Sequence, residues 1–302
     1  MVPNWLRIIL LVLTFISFLP QLHLIWRRRE ASGISLSYVL FNLVAATEQF
    51  ALNYGFINLT TANDGIFFAH DPPTFGDWLN LAQTLLFLVL CLVYLALCLC
   101  FPSESNSTQK RFILRIYIAY VLFAIIPLFI CAIFRLDDTN NTAWYDFPVV
   151  LTFNPHILWM NYIGTILATV AMYLQAKVIL RPDPSEKSSL VASQLGTPHG
   201  SLSLFGLAIQ CVLFIVLAIS WIFRVVFPLP LLDSASWRDF DVLKVWYELV
   251  GSIAVDNAVF GIGQGILLFL AMRREKRDGK YGVRAGLSAE KEPLLQEDRV
   301  AS

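Results

Sequence analysis

Charge is what this sequence has least of. Only 15% of its 302 residues are charged, against roughly a quarter in an ordinary soluble domain. With 57% hydrophobic residues and a mean hydropathy of +0.64, a soluble globular fold is excluded. Cysteine is scarce in a particular way. Cys91, Cys98, Cys100, Cys131 and Cys211 all fall inside apolar stretches with no ligand-like spacing. That excludes a disulfide framework and a metal cluster, and leaves small buried hydrophobes. No nucleophile–base pair and no phosphate-cradling loop stands out, so neither catalysis nor a bound cofactor is expected. The stretch from Asn58 to Asp77 has no basic residue at all.

What is present is a series of apolar runs near the ~20 residues needed to cross a bilayer. They cover about 5–26, 34–58, 77–101, 112–135, 155–180, 201–227 and 244–272. The fold class expected is therefore all-α and integral to the membrane, with seven transmembrane helices. Arg27-Arg28-Arg29 closes the first run as a stop-transfer flank, so that run is expected to be retained and not cleaved as a signal. The connections after runs one, three and five, together with the tail, hold 17 of the 22 basic residues. By the positive-inside rule the tail is cytosolic and the amino terminus lumenal or exterior. The basic residues thus track a membrane face, and nucleic acid is not an expected partner. Asn58 and Asn140 head glycosylation sequons on the lumenal side, with Asn58 close to the membrane.

The chain also repeats itself. "FLPQLHLIWRRREASGISLSYV" has a weaker echo in "MYLQAKVILRPDP" followed by "GSLSLFGLAIQ". In each copy a glutamine, Gln21 or Gln175, sits near the cytosolic end of a helix. A basic connection and a Ser-Leu-Ser helix start follow, Ser35-Leu36-Ser37 or Ser201-Leu202-Ser203. The placement divides the chain into two parallel three-helix bundles joined by a connector helix. The segments are 1–101, a connector with a lumenal loop over 102–154, a second triplet over 155–272, and a disordered cytosolic tail over 273–302.

Pro20-Gln21, the short basic connection and Gly33-Ile34-Ser35 resemble the PQ-loop repeat family, which includes cystinosin, vacuolar amino-acid transporters and, more distantly, the SWEET sugar transporters. The resemblance continues through Asn42 and Asn53, where the cystinosin branch has asparagines. It reappears in "GSIAVDNAVF", which is similar to the stretch carrying a proton-coupling aspartate and so implies that role for Asp256. It also implies a hinge at Pro20. The second copy reads Leu174-Gln175, without proline, which leaves that hinge one-sided.

Two carboxylates fall inside apolar helices. Glu48 is about fourteen residues from the cytosolic end of its helix, and Asp256 about twelve from the lumenal end of its own, so both lie near the midplane. An acid there must be paired, wetted or protonated. Burial favours the neutral form, and such a group can carry a proton across. Asn42, Asn53, Asn161 and Asn257 are the candidate substrate-path residues; interhelical hydrogen bonding is the plainer role for them, and for Gln83 and Tyr162. Gln21 is expected to satisfy carbonyls freed by Pro20, and Pro127 to kink its helix. His23 reads as interfacial. Gly261, Gly263 and Gly265 give the last helix a smooth packing face, which would also suit a homo-oligomer. In the tail, Glu290 stands four residues before Leu294-Leu295, the pattern of an adaptor-recognised sorting signal, which makes a clathrin adaptor an expected partner. These features together point to a carrier that couples a small polar solute, an amino acid for instance, to protons in a vacuolar or lysosomal membrane. The alternative is a non-transporting cargo or signalling receptor on the same scaffold.

Overall fold

A computed structural model describes residues 2–59, 70, 72–103, 105–137, 146–181, 202–224 and 240–300, with side chains described within 2–133, 151–181, 202–224, 243–248 and 251–277. The sequon at Asn140 and the side chains of Glu290, Leu294 and Leu295 lie outside this set. The described residues are helical between short connections: α1 (Asn4–Arg28), α2 (Leu36–Asn58), α3 (Phe75–Cys100), α4 (Ser107–Asp137), α5 (Asp146–Pro155), α6 (Asn161–Leu180), α7 (Leu204–Ile222), α8 (Phe240–Trp246) and α9 (Ser252–Val300). Two π-turns, His156–Met160 and Tyr247–Gly251, join α5 to α6 and α8 to α9 without a break. The described helices therefore run as seven rods.

Local chemistry sets the ends of these rods. Ser35 caps α2 by accepting from the Tyr38 N–H (3.3 Å), and Ser203 caps α7 by accepting from the Gly206 N–H (3.0 Å). Thr74 and Asp77 form a capping box at the start of α3. α1 ends on Arg29 in the left-handed region (φ 54°), and Gly33 turns the connection at φ 74°.

Among the described residues six helices are long and apolar enough to cross a membrane, and the chain is a multi-pass membrane protein. α2 is not among the six. Asn42, Thr47, Glu48, Gln49 and Asn53 dilute its apolar character, and 19 of its 23 residues are buried. A helix surrounded by protein has no lipid to satisfy, so its polar side chains face partners. The other rods present large apolar side chains outward, among them Trp5, Ile9 and Val12 on α1 and Phe112, Phe123 and Ile133 on α4, as a lipid solvent requires.

α3 packs against both α1 and α2, and α9 against both α6 and α7. α1 also meets α7, and α2 meets α6. α4 rests on α2 and α5. Phe18, Phe87, Phe214 and Phe260, one each from α1, α3, α7 and α9, meet at the centre, with the Phe214 and Phe260 rings 4.5 Å apart. The glycines of α9 serve packing in two directions. Gly261 and Gly265 face Ile215 and Cys211 of α7, and Gly263 faces Met172 of α6. A Cβ at Gly261 would lie 3.0 Å from the Ile215 backbone nitrogen, which cannot swing away, whereas at Gly263 it meets the flexible Met172 side chain. Gly261→Leu is accordingly expected to cost about 1–3 kcal/mol, read as a lower thermal unfolding midpoint of the purified protein. Gly263→Ala is expected to cost less.

The last helix departs from expectation. Its apolar part ends by Arg277, but the backbone continues as helix to Val300, where a disordered tail was expected. The residues past Met272 are charged, yet Arg, Glu, Lys, Ala and Leu among them are strong helix formers.

Candidate functional site

The repeated glutamines reach across the bundle. The Ser203 N–H donates to Gln21 Oε1 (2.7 Å). The Ser35 N–H donates to Gln175 Oε1 (2.8 Å), while Gln175 Nε2 donates to the Gly33 carbonyl (2.8 Å). Each glutamine thus fixes the helix start of the other group. The Ser17 carbonyl, one turn before Pro20, accepts from Gln210 Nε2 (3.4 Å). α1 carries Pro20 as one continuous helix.

Both midplane carboxylates lie along the seam of α2, α6 and α9. Glu48 is 2% exposed. Its Oε2 accepts from the Tyr120 hydroxyl of α4 and its Oε1 pairs with His156 Nδ1, each at 2.7 Å. His156 is 3% exposed and opens the first π-turn, whose extra residue re-aims side chains relative to a regular helix. A carboxylate can only accept, so Nδ1 carries the shared proton when Glu48 is ionised. Gly164 of α6 lets the backbones approach here: a Cβ would come 3.7 Å from the Glu48 Cβ.

Asp256 sits one step along the seam. Gln49 Nε2 donates to Oδ2 (3.3 Å), and the Thr165 hydroxyl donates to Oδ1. Thr165 Oγ1 is also 2.6 Å from the Tyr247 hydroxyl, on the second π-turn. Tyr247 stacks at 4.6 Å on Tyr162, whose hydroxyl donates to Glu248 Oε1 (3.1 Å). The two π-turns thus bring His156 to Glu48 and Tyr247 to Thr165, the hydroxyl that bonds Asp256.

Beside Asp256 a small cavity is lined by Asn42, Gln49 and Asn257 with Phe87, Phe214 and Phe260. Asn42 and Phe260 also border a second cavity with Gln21, Tyr38 and Gln210, of about 20 Å³, room for little more than a water. Asn42 and Asn257 therefore join Asp256. Their amide nitrogens donate to their own helices, at Tyr38 O (2.9 Å) and Ile253 O (2.6 Å), which leaves the amide oxygens as the groups for a guest. The other two path candidates line neither of these cavities. Asn53 binds the Asn80 carbonyl and Thr84 on α3, and Asn161 accepts at its carbonyl from Thr165 and Tyr247. Gln83 donates to Thr14 (2.8 Å), tying α3 to α1. Asn58 ends α2 half-buried, its amide donating to the Tyr54 carbonyl (2.9 Å). His23 is exposed.

Residues 2–55, spanning α1, the connection and most of α2, match the family model described as the PQ loop repeat. The chain therefore carries a PQ-loop repeat over these residues. No curated protein matches the chain. The matched repeat holds Pro20, Gln21, Gly33, Asn42, Glu48 and Asn53, while Gln175 and Asp256 lie outside it. His156, Tyr120, Thr165 and Tyr247 were not singled out from sequence. The available signal was a histidine and hydroxyls among apolar residues, beside Pro155.

Proposed function

We propose that this protein is a proton-coupled carrier that exports a small polar solute, an amino acid in the first instance, from an acidic organelle. The observation that carries the reading is the α2–α6–α9 seam, where buried Asp256 lines a cavity edged by Asn42, Gln49 and Asn257, with buried Glu48 on the same seam. An acid in this setting alternates between a neutral form and an ionised form held by hydroxyl and amide donors, the property proton coupling requires. On this reading α2 is a seventh span, the rods form two parallel triplets with α4 as connector, and the seam lies between the triplets. The reciprocal contacts of Gln21 and Gln175 support that arrangement. The basic-residue asymmetry supports a lumenal amino terminus. Glu290 with Leu294-Leu295 supports delivery to a vacuole or lysosome through an adaptor.

The test is uptake of a panel of labelled amino acids and sugars into proteoliposomes, with and without an imposed pH gradient. Accumulation of at least one solute that rises with the gradient is the expected result. Absence of flux for the whole panel overturns the carrier reading and favours a receptor on the same scaffold.

A further inference from the structure

The end of the bundle where α1 begins holds two buried arginines that the seam does not use. Arg7 of α1 is 7% exposed and Arg224, just past α7, is 4% exposed. Both guanidiniums converge on a single neutral atom, Asn80 Oδ1 of α3, with Arg7 Nη1 at 3.4 Å and Arg224 Nη1 at 3.3 Å. Charge-assisted bonds run nearer 2.7–2.9 Å, so the amide oxygen holds both cations only loosely. Arg7 has further acceptors in the carbonyls of Gly76 (2.8 Å) and Val2 (3.2 Å). Arg224 donates through Nε to Ser220 Oγ (3.0 Å) and lies 4.8 Å from the centre of the Trp221 ring, but its Nη2 is buried and has no hydrogen-bond partner among the described residues. The nearest acid on α3 is Asp77. Its Oδ2 is already taken by the Thr74 N–H, the Thr74 hydroxyl and His70 Nδ1. Two desolvated cations facing one amide oxygen are costly, and a real negative charge at that point would offset the cost.

We propose that Arg7 and Arg224 form a binding site for a small carboxylate, which enters between them in place of the Asn80 amide oxygen. An amide oxygen and a carboxylate oxygen have nearly the same size, so Asn80 marks where one carboxylate oxygen sits. The second oxygen then meets Arg224 Nη2, since the guanidinium fork matches a carboxylate bidentately. The site is at the end of the bundle opposite the glutamine contacts, which the basic-residue asymmetry puts on the lumenal side. The binding claim stands apart from the carrier reading; that the docked group is the α-carboxylate of the transported solute rests on it.

The test is the thermal unfolding midpoint of the purified full-length protein in detergent, titrated with sodium acetate, sodium chloride or sodium phosphate at equal ionic strength. The expected result is a saturable rise with acetate that chloride and phosphate do not reproduce. Arg224→Gln is expected to lose the acetate response. Asn80→Asp supplies the countercharge from α3, so it is expected to fold at least as well as wild type and also to lose the response. It serves where Arg224→Gln does not fold. No acetate-specific rise, an equal rise with all three anions, a stronger rise with phosphate, or a response retained in Asn80→Asp each overturns the proposal. Because this measurement needs no flux, an acetate response in a protein that moves no solute would sink the carrier reading and leave this site standing.

Discussion

Asp256→Asn is expected to reduce gradient-driven uptake in proteoliposomes by on the order of 100-fold, the usual scale for losing a proton-transfer group. The fold should survive the change. An asparagine keeps an oxygen for the Thr165 hydroxyl, and the Gln49 amide can turn over to meet the new NH2 group. What disappears is the ability to take and release a proton. A second measurement separates coupling from solute contact. Exchange of labelled for unlabelled solute across membranes at equal pH needs no net proton movement, so it is expected to persist in the variant. Loss of exchange as well would make Asp256 a ligand of the solute and remove its coupling role.

His156→Ala is expected to destabilise the protein by about 3–5 kcal/mol, the cost of leaving a buried carboxylate without its partner. For a chain of this size the thermal midpoint should fall by roughly 6–12 °C. The reason is local. Glu48 is fully enclosed and has two strong donors, Tyr120 and His156, at 2.7 Å each. Without the imidazole, one carboxylate oxygen is left buried with no donor. Glu48→Gln in the same background removes the stranded charge, so the double variant is expected to be more stable than His156→Ala alone. A double variant whose loss equals the sum of the two single losses would show that the pair is not coupled.

The membrane helices were legible in the sequence because lipid imposes a long apolar run on any rod that faces it. α2 was read among them as the apolar run 34–58, although its polar residues suit a helix enclosed by protein. The glutamine repeat was visible as a pattern. Its function as a reciprocal tie was not, because sequence does not say that Gln21 would pass over its own helix to reach Ser203. The two acids stood out as charges in apolar surroundings, and they do lie along one seam. Their partners were hidden for a physical reason. His156 reaches Glu48, and Tyr247 reaches Thr165, from π-turns whose extra residue breaks the 3.6-residue periodicity used to assign helix faces. Asn53, read from the family resemblance, bonds α3, and the Asn161 backbone carbonyl accepts from Tyr247.

The polarity of α2 also has a consequence for how the chain is made. A newly synthesised segment enters the bilayer according to its own hydrophobicity, and Glu48, Gln49 and the asparagines weigh against α2 doing so alone. The surfaces that shelter it belong to α3, α4 and α6, all of which emerge later from the ribosome. If α2 is the seventh span, its insertion is expected to be completed only after about 120 further residues have been made, the distance from Asn58 to Leu180. Substitutions on the faces of α6 or α4 that shelter Glu48 would then act first on biogenesis, appearing as a chain inserted with the wrong number of crossings before any defect in a folded protein could be seen.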